Sequence, residues 1–353
     1  MKSPPLLSIC ISTYNRVHKS IRTVERILTC QDTRIEVVVN DNKSTDQTLR
    51  QLQQIPDHRL KVIENDYNLG TGLGFAMAIS KARGSFIMIC LDKDSIEPGL
   101  IPYLCDQLQL LTSVGMGFCD LEVQSVSPPN IYQRGLEAVQ QMAYNVRHPS
   151  GYFFRRDIYL NAFSKYRYLL EEANGFVLEC ICAELCLSLD AAVINAPIIV
   201  LETKDEAKDF KSLTYKGSNA WFTPRQRFLV FKFFLSRLAT LNLPIRDRLL
   251  IANRLFNEHL KNATIVFSLI LNDPSLCMHY GIKPKALNQV EMRIIAFMFC
   301  SRFLFLSKYP SLTGRIRILV NNSNLQKSRV LIFFLVVAGK LKSVTKYSLN
   351  RSN

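Results

Sequence analysis

At 353 residues the chain is long enough for two domains. Hydrophobic residues make up 48% and charged residues 21%, which excludes an intrinsically disordered chain. The net charge of +15 is uneven, because residues 1–199 carry 19 Lys and Arg against 21 Asp and Glu, whereas residues 200–353 carry 25 against 8. This asymmetry predicts a domain boundary, with a first domain over residues 1–205 and a basic C-terminal region over residues 206–353.

The ten cysteines lie within apolar runs and form no CxxC pair. This pattern predicts reduced cysteines that pack in the core of a cytoplasmic protein. The first residues, MKSPPLLSIC, lack the apolar region of a signal peptide, so no export is expected.

Short apolar runs alternate with helical patterns over the first 115 residues. The predicted strands cover residues 6–13, 35–41, 60–65 and 85–92, and the predicted helices lie near 18–30, from about 44 onward, and over 72–82. This alternation predicts an α/β fold with a mostly parallel central sheet flanked by helices. Ligands of such sheets bind beyond the carboxyl ends of the strands.

The basic C-terminal region is predicted to be mainly α-helical, with Leu- and Phe-rich segments between Pro and Asn breaks. None of its apolar runs reaches 18 residues without a charge, so a membrane-spanning helix is not expected. Apolar faces flanked by Lys and Arg suit helices that lie on an anionic membrane surface. Helices that pack on each other and on the first domain explain the same pattern, and the sequence leaves both open.

Polar residues follow each predicted strand. They are the string Ser12–Arg16, Asp41, the string Asn65–Asn68 before Gly70, and Asp92-Lys93-Asp94. Two carboxylates one residue apart raise each other's pKa, which is unfavourable unless a cation lies between them. Mg²⁺ and Mn²⁺ bind between one or two carboxylates and substrate phosphates. Asp92 and Asp94 are therefore predicted to bind a divalent metal.

The strings LLSICISTYNR, EVVVNDNKSTDQT and NLGTGLGFAMAISKARGSFIMICLDKD resemble, in order and spacing, the inverting glycosyltransferases of family two, which have the GT-A fold. The resemblance is good over residues 6–100 and weaker to about residue 200. It implies metal-dependent transfer of a sugar, with inversion, from a nucleotide-sugar donor (a UDP-sugar is preferred) to a glycan acceptor. The family's acceptors are often lipid-linked saccharides, which suggests surface polysaccharide biosynthesis.

The resemblance also implies roles for individual residues. Asp94 would bind the Mn²⁺ or Mg²⁺ that bridges the diphosphate, and Asp92 would meet the ribose or a metal-bound water. The residues implied in nucleotide-sugar binding are Thr13, Asn15, Arg16, Asp41, Asn68, Gly70 and Asp92. Asn42 stands where the family has a second acid. Read without the resemblance, Asn15 is a turn residue and Ser44 caps the next helix.

The catalytic base of the family is a carboxylate at a helix start, and here the matching segment is 173–192. If ELCLSL aligns with the family's helix, Glu184 is its second acid and Cys or Ile occupies the base position. If the helix start has shifted, Glu179 is the base, which we prefer. The two acids are five residues apart, about 140° around a helix, so they cannot serve one site. The upstream His148, Arg155 and Arg156 are expected near the diphosphate or acceptor, with a solvated strand edge as the alternative for both arginines.

A dehydrogenase requires GxGxxG in the first strand–helix turn, where this chain has STYNR, so that class is excluded. The remaining alternative is a non-catalytic scaffold of the same fold, or a protein that binds polyanions or membranes through its basic region. No sequence-specific nucleic-acid motif is present. The expected location is the cytoplasm, including the cytoplasmic face of the membrane, and a homo-oligomer is compatible with the sequence.

Overall fold

The computed structural model describes residues 4–145, 147–168, 177–202 and 222–304. The chain divides into two compact units, Met1–Lys208 and Asp209–Asn353, and each is described by itself. The assignment of catalysis to residues 1–205 and of acceptor or membrane association to residues 206–353 stays a prediction.

The first unit contains ten strands and seven helices among its described residues. The strands are β1 (Leu7–Thr13), β2 (Ile35–Asp41), β3 (Leu60–Glu64), β4 (Phe86–Leu91), β5 (Ser95–Ile96), β6 (Val114–Cys119), β7 (Asn130–Tyr132), β8 (Tyr152–Arg155), β9 (Asp190–Ile194) and β10 (Ile199–Val200). The helices are α1 (Val17–Leu28), α2 (Thr48–Gln53), α3 (Gly70–Lys81), α4 (Ile101–Leu110), α5 (Leu136–Met142), α6 (Arg156–Tyr166) and α7 (Val177–Ser188).

Eight of these strands form one sheet in the order β3-β2-β1-β4-β8-β6-β9-β7. Strands β1 to β4 are parallel, whereas β8 runs antiparallel to both of its neighbours, β4 and β6. Every residue of β1 and β2 is buried, as expected for a sheet covered by helices on both faces. The predicted α/β fold is confirmed, and the first four strands begin and end within one residue of their predicted bounds.

The strand register brings the predicted site residues to one edge. Thr13 at the end of β1 pairs with Asp41 at the end of β2, and Ser12 pairs with Leu91 at the end of β4. Because Asp92 comes directly after Leu91, the polar ends of three neighbouring strands meet where such sheets bind their ligands.

The second unit is helical in its described residues, as predicted. Its helices are α8 (Pro224–Leu238), α9 (Ile245–Lys261), α10 (Phe267–Leu271), α11 (Pro274–His279) and α12 (Gln289–Leu304), with a π-helical turn over Asn262–Val266. Its core is aromatic: Phe231 packs against Phe256 and Phe299 with ring centroids 5.9 and 5.7 Å apart. Within the described part of the chain, no helix is both long and apolar enough to cross a membrane.

Candidate active site

Asp41 is fully buried at the end of β2 and is held by the loop that follows. Its carboxylate accepts hydrogen bonds from the Ser44 backbone N–H at 2.9 Å and from the Ser44 hydroxyl at 2.5 Å. Helix α2 begins only at Thr48, after Gln47, so the prediction that Ser44 caps it is wrong. The Ser44 hydroxyl oxygen instead accepts a hydrogen bond from the Asn15 backbone N–H at 2.9 Å.

Asn15 links the loop after β1 to the same region. Its side-chain oxygen accepts a hydrogen bond from the Thr45 backbone N–H at 2.7 Å. Its backbone has φ 52°, a left-handed conformation that Asn adopts more readily than most residues. Asn15 is thus both the predicted turn residue and an exposed side chain beside Asp41's loop.

Asn42, at the family's second acid position, cross-links three elements. Its amide N–H donates to Ser12 Oγ at 3.0 Å, and its amide oxygen accepts from Asn65 Nδ2 at 2.7 Å. A further N–H contact reaches the Gly70 carbonyl oxygen at 3.4 Å. A carboxylate could only accept hydrogen bonds, whereas the amide also donates and so joins β1 and β3 to the start of α3.

Asn68 and Gly70 lie at the start of α3, where both are exposed. The Asn68 side-chain oxygen accepts a hydrogen bond from the Gly70 backbone N–H at 2.8 Å. Gly70 has φ 74°, which favours glycine. Their assignment to nucleotide binding stays a prediction.

Gly74 is a packing requirement that the sequence did not single out. A Cβ there would lie 2.2 Å from Ser12 Oγ and 2.5 Å from Asn42 Nδ2. Gly74→Ala is therefore expected to displace the Asn42 amide and to lower the free energy of unfolding by about 1–3 kcal/mol. Urea denaturation measures this loss. Gly72→Ala, on the exposed side of the same helix, is the control and should be neutral or stabilising; equal losses in both variants would contradict the packing argument.

Asp92 is held by the end of β1 and by the loop that follows it. One carboxylate oxygen accepts from Thr13 Oγ1 at 2.9 Å, and the other accepts from an Arg16 guanidinium N–H at 2.8 Å. Burial raises the pKa of Asp92, whereas Arg16 and Thr13 favour its ionised form. Three of the predicted donor-binding residues therefore form one hydrogen-bonded group.

Asp94 is held by a different group. One carboxylate oxygen contacts His148 Nε2 and accepts from Ser150 Oγ at 2.5 Å, while the other accepts from the Glu202 backbone N–H at 3.4 Å. Burial opposes ionisation of Asp94, but the contacts from His148 and Ser150 outweigh it and lower its pKa. The two acids, one residue apart, are thus stabilised by separate partners.

The backbone between these acids is fixed from the side of α1. The Thr23 hydroxyl contacts the carbonyl oxygens of Asp92 at 3.1 Å and of Asp94 at 2.6 Å. After Asp94, β5 pairs antiparallel with β10, and the Glu97 N–H donates to the Ile198 carbonyl at 2.8 Å. The acidic loop is therefore anchored before any ligand binds.

The donor atoms at Asp94 suit a divalent metal that is shared with a substrate. Asp94 and His148 supply one carboxylate and one imidazole in contact. In the described ranges no cluster of three His, Cys, Asp or Glu side chains could hold an ion by itself. Mg²⁺ and Mn²⁺ commonly take one or two protein ligands and complete their shell with phosphate oxygens and water, so these residues fit.

The two candidate bases lie on one helix, α7, in different surroundings. Glu179 is buried in the first turn, and burial raises its pKa to about 8. Its Oε2 atom has no hydrogen-bond partner among the described residues. Glu184 instead accepts from Lys165 Nζ at 2.7 Å and from the Tyr166 hydroxyl at 3.0 Å, against α6. Both acids thus lie on one helix but contact different residues, and which of them acts as base stays a prediction.

One short segment connects the neighbourhood of Glu179 to Asp94. His148 and Ser150 contact Asp94. Tyr152, at the start of β8, is buried, and burial raises the pKa of its hydroxyl. The negative charge of Glu179 raises the pKa of Tyr152 further. Arg147 lies over the Phe118 ring at 4.2 Å. Segment 147–152 therefore supplies two contacts of Asp94, and it also contains Tyr152, which is buried at the start of β8.

Arg155 does not take part in this arrangement. Because β8 runs antiparallel, Arg155 pairs with Phe86 at the start of β4, the opposite edge of the sheet. Its Nε donates to the Val114 carbonyl at 2.9 Å, and its guanidinium lies over the Phe86 ring. The expectation that Arg155 approaches the diphosphate is wrong, since the direction of β8 could not be read from the sequence. Arg156 follows it, and its backbone N–H donates to the Ser85 carbonyl at 3.0 Å.

Comparison with known proteins agrees with this geometry. Residues 8–112 match the family model of glycosyl transferase family 2. The resemblance seen in the sequence is thereby confirmed over this segment, which contains the residues from Thr13 to Asp94. Glu179, Glu184 and His148 lie outside it.

Two relatives illustrate the match. The succinoglycan biosynthesis protein ExoO of Rhizobium meliloti (strain 1021) is 32% identical over 94 residues, 27% of this chain and 27% of ExoO. The Escherichia coli UDP-Glc:alpha-D-GlcNAc-diphosphoundecaprenol beta-1,3-glucosyltransferase WfaP is 35% identical over 89 residues, 25% of this chain and 35% of WfaP. The chain thus matches well under half the length of these curated relatives.

Solved structures support the fold. Staphylococcus aureus TarS 1–349 in complex with UDP-GlcNAc has a TM-score of 0.58 and 17% identity, covering 94% of this chain and 87% of TarS 1–349. The mannosyltransferase PcManGT from Pyrobaculum calidifontis, in complex with GDP-Man and Mn²⁺, has a TM-score of 0.50 and 15% identity, covering 95% of this chain and 88% of PcManGT. These likenesses confirm a GT-A-type transferase fold.

The buried carboxyl of Glu179 also predicts how the stability of the protein depends on pH. The carboxyl keeps its proton in the folded state up to about pH 8, whereas an unfolded chain releases it near its ordinary pKa of 4.5. Stability is therefore lost as the pH rises from 4.5 through 8, by a total on the order of 5 kcal/mol. Glu179→Gln, which is neutral at every pH, should raise Tm by about 5 °C or more at pH 8.5 but little at pH 5.

Thermal unfolding of both proteins across this pH range measures the effect. Glu184→Gln is the matched control. Glu184 lies on the same helix, but its side chain is partly exposed and is paired with Lys165 and Tyr166. A gain in Tm for Glu179→Gln that is the same at pH 5 and pH 8.5 would show that Glu179 is not a buried, proton-retaining carboxyl.

Proposed function

We propose that this protein is a metal-dependent inverting glycosyltransferase that transfers a sugar from a nucleotide-sugar donor to a glycan acceptor. The observation that carries the proposal is the gathering of Asp41, Asp92 and Asp94 at one sheet edge, within the segment that matches family 2. These acids are already held by hydrogen bonds from Ser44, Arg16 and Ser150. Such fixed polar groups suit the binding of a charged donor.

A UDP-sugar is the proposed donor. The name of the relative WfaP specifies UDP-Glc, and a TarS structure holds UDP-GlcNAc, which favours uridine over other bases. Thr13, Asn15, Arg16, Asn68 and Gly70 surround the same strand ends and are proposed to bind the nucleotide. Asp41 is proposed to meet the base or ribose.

Asp94 and His148 are proposed to hold Mn²⁺ or Mg²⁺, with Asp92 as the second acid of the site. When bound, the metal neutralises charge on the diphosphate that leaves the sugar. Asp92 is proposed to contact the ribose or a metal-bound water, because Thr13 and Arg16 already occupy both of its oxygens. Ser150 orients the Asp94 carboxylate through its hydroxyl.

Glu179 is the proposed base. In its ionised form it takes the proton from the acceptor hydroxyl while the hydroxyl oxygen attacks the anomeric carbon and the bond to the diphosphate oxygen breaks. Attack on the face opposite the leaving group inverts the configuration. Support comes from the place of Glu179 in the first turn of α7 and from its Oε2 atom, which has no hydrogen-bond partner among the described residues. Glu184 is less suitable, since Lys165 and Tyr166 occupy its carboxylate.

The proposed acceptor is a lipid-linked saccharide of surface polysaccharide biosynthesis, reached from the cytoplasmic face of the membrane. The name of WfaP specifies such an acceptor, and the name of ExoO specifies a polysaccharide. The second unit supports membrane contact, because α12 exposes four apolar residues at helical spacing: Val290, Ile294, Phe297 and Met298. Its described residues 222–304 carry 12 Lys and Arg against 4 Asp and Glu.

Vesicle flotation tests this membrane contact. The wild type should float with phosphatidylglycerol vesicles and stay behind with phosphatidylcholine vesicles. The Ile294→Glu/Phe297→Glu variant should lose most of the binding, whereas Leu110→Glu, an exposed position on α4, should not. Equal flotation of all three proteins would exclude α12 as the contact surface.

A donor assay tests the proposed activity. The protein is incubated with a panel of UDP- and GDP-sugars and Mn²⁺, and release of the nucleoside diphosphate is measured with and without lipid-linked acceptors. Release from one donor, stimulated by an acceptor and giving an inverted product by NMR, is the expected result. No release from any donor by a folded protein would favour the non-catalytic scaffold.

A further inference from the structure

The Arg147 side chain places a cation at the ligand-binding edge of the sheet. Its Cζ atom lies 4.2 Å from the centre of the Phe118 ring, and Phe118 is the residue before the last of β6. Strand β6 runs parallel to β4, because both are antiparallel to β8. The carboxyl end of β6 therefore lies at the same edge as the acidic loop after β4, two strand spacings or about 10 Å along it.

One nitrogen of this guanidinium is buried without a hydrogen bond. The Nη1 atom of Arg147 has no hydrogen-bond partner among the described residues. A buried donor on a charged group is costly to leave without an acceptor, and native proteins rarely do so. The aromatic ring contacts the face of the guanidinium, whereas the N–H groups of a guanidinium point outward in its own plane. Nη1 is therefore placed to donate to an oxygen that the described residues do not supply.

The backbone around Arg147 is held in place on both sides. Tyr144 is 1% exposed and has φ 57°, a left-handed conformation that is unfavourable for so bulky a side chain. The Arg147 backbone N–H donates to the Asn145 carbonyl oxygen at 2.8 Å. Beyond Arg147, the Gly151 carbonyl oxygen accepts from the Cys119 backbone N–H at 3.0 Å, at the end of β6. Strained backbone of this kind is typical of segments that position a functional group.

Arg147 acts on the same buried groups as the candidate base Glu179. Burial raises the pKa of the Tyr152 hydroxyl, Arg147 opposes that rise, and Glu179 adds to it. The Cys182 thiol lies three residues after Glu179 on α7. Burial raises its pKa, Glu179 adds to the rise, and Arg147 again opposes it. Arg147 therefore belongs with the proposed base, on the acceptor side of the candidate site.

An acceptor that carries a negative charge suits these two side chains together. A guanidinium binds carboxylate and phosphate oxygens more strongly than neutral hydroxyls, because the hydrogen bonds are charge-assisted on both sides. Two such groups lie within one sugar ring of a reacting hydroxyl. One is the carboxylate of a uronic acid, and the other is the phosphate on the anomeric carbon of a sugar that is linked to a lipid.

We propose that Arg147, held against the Phe118 ring, binds a carboxylate or phosphate of the acceptor within one sugar ring of the hydroxyl that reacts. This inference rests on the proposed function and narrows its acceptor to a saccharide that is charged at this place. Arg147 thereby determines the acceptor specificity, and Phe118 is the residue that positions it.

Calorimetric titration with three soluble sugars, with the donor site saturated by UDP and Mn²⁺, tests this specificity. Glucose 1-phosphate carries the phosphate, methyl glucuronide carries the carboxylate, and methyl glucoside carries neither. The wild type should bind one of the two anions at least tenfold more tightly than methyl glucoside, the gain expected for one charge-assisted hydrogen bond. The anion that binds identifies the source of the charge. Arg147→Met should bind that anion no more tightly than methyl glucoside, and Arg134→Met, at an exposed position before α5, should match the wild type.

Thermal unfolding separates a binding role of Arg147 from a structural one. Arg147→Met should unfold at the same Tm as the wild type or higher, because it removes a buried donor without an acceptor and keeps the apolar stem. Phe118→Leu keeps the charge and should weaken anion binding about fivefold, which also tests the inference if Arg147→Met does not fold.

Two results would overturn the inference. One is a wild type that binds neither anion more tightly than methyl glucoside, and the other is an Arg147→Met variant that keeps the preference for the anion. The proposed function would survive either result as long as UDP binds in the presence of Mn²⁺. If the wild type bound neither UDP nor GDP, the proposed function would fail as well.

Discussion

Glu179→Gln is expected to lower kcat by about a thousandfold while leaving the dissociation constant of the donor unchanged. The amide keeps the shape of the carboxyl but cannot accept the proton of the acceptor hydroxyl. Donor binding should persist because the proposed donor-binding residues lie at the ends of β1 to β4 or in the segments that follow these strands, not on α7. Steady-state kinetics with saturating donor, together with a separate titration of UDP, measure the two quantities.

The pH dependence of the wild type follows from the same carboxyl. A base must be deprotonated, and burial raises the pKa of Glu179 to about 8, so kcat/KM should rise about tenfold per pH unit below that value and level off above it. Glu184→Gln should keep the activity and the same profile. A profile that is flat from pH 6 to pH 9, or an inactive Glu184→Gln with an active Glu179→Gln, would transfer the role of base away from Glu179.

Asp94→Ala is expected to abolish the dependence of donor turnover on Mn²⁺ and to reduce that turnover by about a thousandfold or more. Asp94 is the acid whose carboxylate contacts His148 and Ser150, so its removal also releases the proposed second ligand. Release of UDP from the donor, titrated with Mn²⁺, is the measurement.

Asp106→Ala is the matched control for this change. Asp106 lies on α4 with 60% of its side chain exposed and pairs with Arg34, away from the strand ends that hold the acids. It should keep the Mn²⁺ dependence of the wild type. Mn²⁺-dependent turnover by Asp94→Ala would show that the ion binds elsewhere or is not needed.

The parallel strands β1 to β4 could be predicted because each can be recognised from its own residues and from those directly before and after it. Strands β1, β2 and β4 are mostly apolar and almost fully buried, as burial on both faces demands, whereas β3 lies at the edge of the sheet and is partly exposed. The order and the direction of the remaining strands of the sheet could not be predicted in this way. Strand β8 inserts antiparallel between β4 and β6, and this pairing depends on long-range contacts rather than on its four residues. The role expected for Arg155 failed for that reason.

The candidate site likewise contains residues that could be predicted from the sequence and contacts that could not. Asp41, Asp92 and Asp94 could be named because they lie at the ends of buried strands or within three residues after them. Their partners could not, since the contacts of Asp94 with His148 and Glu202 join residues 54 and 108 positions apart. The Asn42 amide network was also missed, although a neutral residue at the family's acid position was visible as a departure from the pattern.

Calorimetric titration of the wild type with UDP, with and without Mn²⁺ and with GDP as a control, tests the central claim most directly. The account predicts that UDP binds only when Mn²⁺ is present and more tightly than GDP. Absence of binding of either nucleotide, with or without Mn²⁺, by a correctly folded protein would contradict the assignment of the Asp41, Asp92 and Asp94 edge as a nucleotide-sugar site.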